Sequence, residues 1–440
     1  MTNDVIILGA GLAGLSAARD LVAAGASVVI LEARGRAGGR VMQHVLDDGR
    51  IVQLGGEVVG PAHTSYRALV AELGLTFEPS FPGLPGEDTT VFSSGERSIG
   101  DLSWLTAAER ESYFECERQF SELAATVDPD NPWSHPDAEK LDRISVGQWM
   151  RSVGASPNVI RARSLAMLAL AAESPERTSL LADLRKESIN PTPSFYNYEV
   201  WENERVREGS GRVPEVMAEA LDAYIRYETP VRKVMLAPGR CVVTSTTGET
   251  FTAKTVISTL PVGPFRDVQF EGLSPERYRS MASQRHAVAS KVVTVYNEPF
   301  WEQNDQNGSV YFEEQMIGGT WSQRNGVLSS LIPPERHTVF ESAAPDLVRG
   351  ELLNELSLAL GEQALDPQHL FIRRWGRDPW TQGYITAWRP GDVMAAGPLH
   401  GTHEPPLYIC GSDQWVCGYM EGAVRTGRAA AQAVLQDISV

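Results

Sequence analysis

VIILGAGLAG, Val5 to Gly14, is the stretch on which the fold turns. Four apolar residues give a short buried-strand pattern, Gly9, Gly11 and Gly14 come next at GxGxxG spacing, and a helical run continues to about Ala24. A second strand-like run, ASVVILEA, carries Glu32, 18 residues after Gly14. In the order strand, glycine turn, helix, strand and acid, each residue type has a physical task. Gly9 makes the tight turn, Gly11 lets the backbone approach a pyrophosphate, Gly14 packs helix on strand, and Glu32 accepts from a ribose 2′-hydroxyl. The expected class is α/β, opening on a Rossmann-like dinucleotide unit.

The bulk composition bounds the rest. At 440 residues the chain exceeds what one hydrophobic core supports, and its 42% apolar content is that of a globular protein. A net charge of −17 disfavours nucleic acid and anionic membranes as partners. It suits a cationic substrate and is equally common among soluble proteins. Cys116, Cys241, Cys410 and Cys417 form neither a disulfide framework nor a CxxC metal pattern, so a reducing compartment and no metal are expected. The start, MTNDVIILGAG, has no basic region before an apolar one, and no run of about 18 apolar residues occurs, so the protein is expected to be cytoplasmic.

The glycine fingerprint does not separate FAD from NAD. The adjoining residues do. Glu32-Ala33-Arg34-Gly35-Arg36-Ala37-Gly38-Gly39-Arg40 and then LGGEVVGP, Leu54 to Pro61, resemble the EARxRxGGR signature and the loop after it in the flavin amine oxidase superfamily, the monoamine and polyamine oxidases. The resemblance spans nearly the whole chain and is weakest in the helical insertion. It implies FAD, with Arg34 and Arg40 facing adenosine and pyrophosphate and with Gly55, Gly56 and Glu57 close to the flavin. YETPVRKV resembles the segment whose valine backbone meets adenine, here Val231. SKVVTVYNEPFW resembles the stretch that presents a lysine, here Lys291, through one water to flavin N5. A lysine beginning an apolar strand is notable without any family, because burying an ammonium is costly unless it is paired or functional.

Two more segments carry the resemblance. In WGRDPWTQGYITAWRPGD, Gly383 stands where mammalian monoamine oxidases attach FAD to a cysteine, and Tyr384 comes next, so the FAD is expected to be non-covalent. Cys417 does not occupy the family's linkage position. In CGSDQWVCGYMEGA, Asp413 matches a position that contacts the ribityl chain or phosphate. The helix after Gly418 would point its N–H groups, Met420 among them, at the flavin N1 and C2 carbonyl, where negative charge gathers on reduction. Tyr419 and Tyr384 would face each other before the flavin as a two-ring cage for a neutral amine. The implied reaction moves a hydride from the amine-bearing carbon to flavin N5, gives an imine that hydrolyses to a carbonyl compound, and ends with oxygen reoxidising FAD to yield hydrogen peroxide.

Punctuation along the chain suggests a discontinuous architecture. A FAD domain is expected from residues 1–79, 200–270 and 376–440. A substrate domain of α+β type, a mixed sheet plus helices, is expected from 80–199 and 271–375. Its helical part runs from about 105 to 190, with breaks at VDPDNPWSHPD and VGASPN. Residues 80–100 read as a turn-rich exit, and the strands near 291–296, 309–314 and 326–333 as a sheet with one covered face. GSGRVPEVMAEAL reads as a loop feeding a helix, and Lys254 to Pro261 as a buried strand. Monomer and homodimer are both open.

Rival functions differ at particular positions. An L-amino acid oxidase needs a cation for the carboxylate, and Val58 stands where its arginine is usual, with Arg324 as a substitute. Glu57 and His63 are candidates to attract a distal ammonium. A flavoprotein dehydrogenase or desaturase, or a non-enzymatic FAD module, would share the glycine loop without needing Lys291 or the tyrosine pair. Tyr196, Tyr198 and Trp321 are expected to shape the pocket.

Overall fold

The structure is a computed structural model that describes residues 2–171, 173–189, 194–415 and 418–438. Its first element is the expected one: Asn3–Leu8 forms a strand whose last four residues are buried, followed by the helix Leu12–Ala23 and the strand Val28–Leu31. The two strands pair in parallel, Val5 with Val28 through Leu8 with Leu31. Both faces of a parallel sheet are covered, which is why these strands read as unbroken apolar runs.

An eight-stranded sheet grows outward from this pair. Its order is Ile225–Arg226, Val28–Leu31, Asn3–Leu8, Thr250–Ser258, Cys241–Ser245, Val231–Met235 and Gln269–Glu271, with Leu407–Ile409 also paired to Thr250–Ser258. The run around Val231 forms two strands, Ile225–Arg226 and Val231–Met235. Pro230 has no N–H to give a ladder, and Glu228 turns at φ +52. The chain between them instead docks on the acid's strand end, with Thr229 N donating to Glu32 O at 2.8 Å.

The last helix, Tyr419–Ile438, lies against the first. The approach is close enough that a Cβ on Gly427 would stand 2.3 Å from Ala13 O. Near its start the buried Glu421 accepts from Ser65 N at 3.1 Å and Tyr66 N at 2.7 Å, and so caps the helix Thr64–Glu72.

The second sheet has seven strands in the order His369–Arg374, Ser290–Val295, Val327–Ile332, Gly319–Ser322, Gln306–Phe312, Glu87–Val91 and Arg97–Ile99. Two expectations are corrected here. The stretch around 80–100 contains a β-hairpin of this sheet, since the β-branched Thr89-Thr90-Val91 pairs in parallel with Val310–Phe312 and Gly95 turns the chain at φ +84. Every residue of Ser290–Val295 and of Val327–Ile332 is buried, so the central strands are covered on both faces. Val292, Leu328 and Ile332 pack with Leu352 and Leu356 on one face, and Val293, Val295 and Val327 pack with Leu46, Val52 and Leu54 on the other.

The helical insertion comprises Ala107–Ala124, Ala138–Arg143, Val146–Ser152, Pro157–Ala166 and Leu180–Glu187, with a π-turn at Met167–Ala171. Thr106 with Glu109 and Ser145 with Gln148 form capping boxes. Among the described residues no helix is long and apolar enough to cross a membrane.

Candidate active site

One cavity of about 450 Å3 joins the glycine turn to the tyrosines and lies between the two sheets and the helical insertion. That size is ordinary for a small-molecule or cofactor site, which spans roughly 300–1,000 Å3.

At the nucleotide end the three glycines differ as their tasks require. Gly9 turns at φ +105, and a Cβ there would meet Thr259 Oγ1 at 2.7 Å. A Cβ on Gly14 would stand 2.0 Å from Gly9 O, so helix and turn touch through this residue. Gly11 lines the cavity and has nothing within 4 Å of where its Cβ would be. The Glu32 carboxylate is 4% exposed and accepts from Ala10 N at 2.8 Å and Arg34 N at 2.9 Å. Gly38 N donates to Ala10 O at 2.9 Å and so laces the second glycine loop to the first. Val231, Thr229 and Pro230 line the cavity beside them.

The arginines are held by acids that sequence reasoning does not pair with them. Arg34 lies 2.5 Å from Asp378 and 3.9 Å from Glu32. Arg40 donates to Asp413 at 2.8 Å, Ser412 Oγ at 2.6 Å and Tyr384 O at 3.1 Å. Arg36 closes the loop on itself by donating to the carbonyls of Ala37 and Gly39. Asp413 does not line the cavity. Its carboxylate takes Arg40 on one side and His286 Nε2, at 2.9 Å, on the other. Burial by itself would raise the Asp413 carboxyl, but the Arg40 guanidinium and the His286 ring hold it well below the usual carboxylate range.

Gly383 also stands outside the lining. It turns at φ +144, and a Cβ would lie 2.3 Å from His286 Cβ, so a side chain has no room there. Cys417 lies outside the described residues.

In the middle of the cavity Lys291 Nζ donates to Glu57 Oε2 at 2.7 Å and to Gly55 O at 3.2 Å, with the Trp321 ring centre 5.2 Å away. Trp321 Nε1 donates to the same Glu57 oxygen at 3.2 Å. Burial lowers the Lys291 ammonium below its ordinary value, and Glu57 opposes that shift. Gly55 is a glycine by necessity, since a Cβ would stand 2.1 Å from Arg40 O, whereas a Cβ on Gly56 would make ordinary contact with Met420 Sδ at 3.4 Å.

The far end is aromatic. Tyr419 begins the last helix at φ +55, an uncommon conformation for a residue with a side chain. Its ring stacks on Trp201, with centres 5.9 Å apart and planes at 4°, and meets His63 at 4.8 Å. Its hydroxyl is 2.6 Å from that of Tyr196, which in turn donates to Glu202. Tyr384, Tyr198, Trp321 and Phe81 line the same space, and Lys186 Nζ lies 4.4 Å from the Tyr196 ring centre.

His63 does not reach the cavity. It is fully buried behind Tyr419, and burial pushes it down to about 3, so it stays neutral and cannot serve as a pH-dependent counter-charge. Arg324 donates to Pro79 O at 2.9 Å and is absent from the lining, so it does not supply the cation that Val58 lacks. Glu202, His286, Ser412 and Asp378 escape sequence reasoning because nothing local in their segments marks them.

These residues fit a flavin dinucleotide. Gly11 leaves open space at the turn, Glu32 offers a buried acceptor, and the buried Tyr384 hydroxyl has no hydrogen-bond partner among the described residues.

Comparison with known proteins agrees. A family profile described as flavin containing amine oxidoreductase matches residues 12–435. The putrescine oxidase of Kocuria rosea is 30% identical over 460 residues, covering 98% of this chain and 95% of that protein. A solved structure of a putrescine oxidase bound to putrescine has a TM-score of 0.90 at 26% identity over 99% of both chains. Cyclohexylamine oxidase from Brevibacterium oxydans has a TM-score of 0.89 at 25% identity over the whole of both.

Proposed function

The chain belongs to the flavin-containing amine oxidoreductase family, and from that premise we propose that it binds FAD without a covalent bond and oxidises a small amine to an imine. Oxygen is the final acceptor and hydrogen peroxide a product. The observation that carries this reading is one continuous cavity with Gly11 and Glu32 at one end and Tyr384 and Tyr419 at the other. When bound, the flavin supplies the acceptor for the hydride that leaves the amine-bearing carbon.

The protein's own residues do the rest. Glu32 holds the ribose. Arg40, fixed by Asp413 and Ser412, supplies positive charge to the pyrophosphate. The N-terminal N–H groups of the last helix, Met420 among them, lack intrahelical partners and favour negative charge at that end. Tyr384 and Tyr419 bound the amine's space, orient it and exclude water. The buried cysteines Cys116, Cys241 and Cys410 are unpaired, which suits work in the cytoplasm.

The test is peroxide release by the purified protein on a panel of putrescine, cyclohexylamine, benzylamine and L-amino acids. Peroxide from amines and none from amino acids is expected. Silence toward every amine, with FAD bound, overturns the reading.

Two outcomes accompany it. Acid precipitation should release free FAD to the supernatant, because no side chain stands at position 383; flavin retained in the pellet would contradict this. Tyr384→Ala and Tyr419→Ala should each slow anaerobic flavin reduction at least about tenfold, roughly 1.4 kcal/mol, while shifting FAD affinity less. Equal losses of both would make the rings packing residues.

A further inference from the structure

The carboxylates at the aromatic end of the cavity are not alike. Glu57 is bound to Lys291 at 2.7 Å, Glu173 to Arg389 at 2.5 Å and Asp183 to Arg163 at 2.8 Å. Glu202 is as buried as these, at 6% exposed, and among the described residues it makes no ion pair. It accepts instead from the Tyr196 hydroxyl, and that oxygen is 2.6 Å from the hydroxyl of Tyr419. A carboxylate, a phenol and a second phenol thus form a chain of proton-bearing groups that ends at the ring bounding the amine's space.

An amine reaches the enzyme as an ammonium near neutral pH, and in that form its nitrogen has no lone pair to assist the loss of a hydride from the adjacent carbon. We propose that Glu202 is the proton acceptor of the amine site, drawing the proton of the incoming ammonium through the hydroxyls of Tyr419 and Tyr196. The proposal rests on the reading of the protein as an amine oxidase.

The step balances without any change of oxidation state. One N–H bond of the ammonium breaks and its electron pair stays on nitrogen. That proton bonds to Tyr419 Oη as the proton of Tyr419 passes to Tyr196 Oη. The proton of Tyr196 then passes to Glu202 Oε1, leaving a neutral amine and a neutral carboxylic acid.

The surroundings favour that exchange. Glu202 faces Lys186 from the helix Leu180–Glu187, Tyr196 and Tyr198 from the segment before it, Tyr419 from the last helix, and Glu57 and Tyr384 across the cavity. Burial pushes its carboxyl up to about 6, against the Tyr196 and Tyr419 hydrogen bonds and the charge of Lys186, so it is a stronger base than an exposed glutamate yet still ionised at pH 7. The same desolvation lowers the proton affinity of an ammonium held among aromatic rings. Both shifts narrow the gap that the proton must cross.

The experiment is anaerobic rapid mixing of the FAD-loaded enzyme with putrescine and with cyclohexylamine from pH 6.5 to 10. Glu202→Gln keeps the size and the hydrogen bond to Tyr196 but cannot take a proton. Tyr196→Phe combined with Tyr419→Phe keeps the carboxylate and cuts the chain, because Tyr419 also hydrogen-bonds Glu202 directly, and this pair serves on its own if the first variant does not fold. Both should reduce roughly a hundredfold slower than wild type at pH 7 and within about twofold of it at pH 10, where free amine is abundant. A ratio to wild type that is constant across pH would mark a structural role and overturn the proposal. So would a profile of the double tyrosine variant that superimposes on wild type. A wild-type enzyme that no amine reduces fails the amine oxidase reading instead, and is recognised before either variant is made.

Discussion

Lys291→Met lowers the stability of the folded apoprotein by about 3–5 kcal/mol, read from urea denaturation. The thioether side chain fills nearly the volume of the lysine stem, so the loss comes from charge. Glu57, 5% exposed, has Lys291 as its partner at 2.7 Å, and Trp321 Nε1 and Ser329 Oγ, at 3.2 and 3.5 Å, are neutral donors that cannot replace an ammonium. Removing one member of a buried pair leaves the other desolvated and uncompensated, which costs far more than the pair contributes. The double variant Glu57→Gln/Lys291→Met removes both charges and should therefore recover most of the loss. A single variant within about 1 kcal/mol of wild type would mean that the site is wetter than its burial implies.

The same pair separates structure from chemistry. If the ammonium also promotes reoxidation of the flavin by oxygen, Lys291→Met slows that step at least about tenfold, roughly 1.4 kcal/mol, and the double variant stays slow although its stability returns. Rates that recover together with stability would make Lys291 a packing residue.

That pair also shows where the reach of the sequence ends. Lys291 stands out in its own segment because it opens an apolar strand, and the nucleotide turn is legible because all its parts lie within residues 3–32. Their spacing states their geometry. Glu57 and Lys291 are 234 residues apart, and Arg40 and Asp413 are 373 apart, so nothing in either segment says that one will neutralise the other. Consequently the sequence assigns the arginines of the second glycine loop to a ligand without the acids that aim them, and it names Asp413 without the Arg40 and His286 that its carboxylate holds.

Burial of both faces of Ser290–Val295 escapes the sequence for a related reason. An alternating pattern reports which residues are apolar, but Ser290, Thr294 and Ser330 are polar and wholly buried. Glu202 is invisible because a glutamate between Trp201 and Asn203 resembles any surface acid until the fold brings Tyr419 to it.

The opening motif carries the other large effect, because two of its glycines should fail in opposite ways. Alanine in place of glycine inside a helix ordinarily gains up to about 1 kcal/mol. Gly14 sits inside Leu12–Ala23, yet its Cβ would overlap Gly9 O at 2.0 Å, a backbone atom that cannot swing aside. Gly14→Ala must push the helix off the sheet, and it should destabilise the apoprotein by about 1–3 kcal/mol or more. Gly11 is the reverse case. Its φ of −76° and ψ of 177° are ordinary for alanine, and the new methyl meets no atom within 4 Å. Gly11→Ala should melt like wild type or slightly higher, since alanine restricts the unfolded chain. The space its methyl takes, however, is cavity, at the point where the backbone must approach a pyrophosphate. FAD affinity should fall about a hundredfold, roughly 2.7 kcal/mol. Reconstitution titrations of the two apoproteins, set beside their melting curves, read both effects at once. A Gly11→Ala protein that takes up FAD with wild-type affinity would place the dinucleotide elsewhere, and a Gly14→Ala protein as stable as wild type would show that helix and turn are free to part.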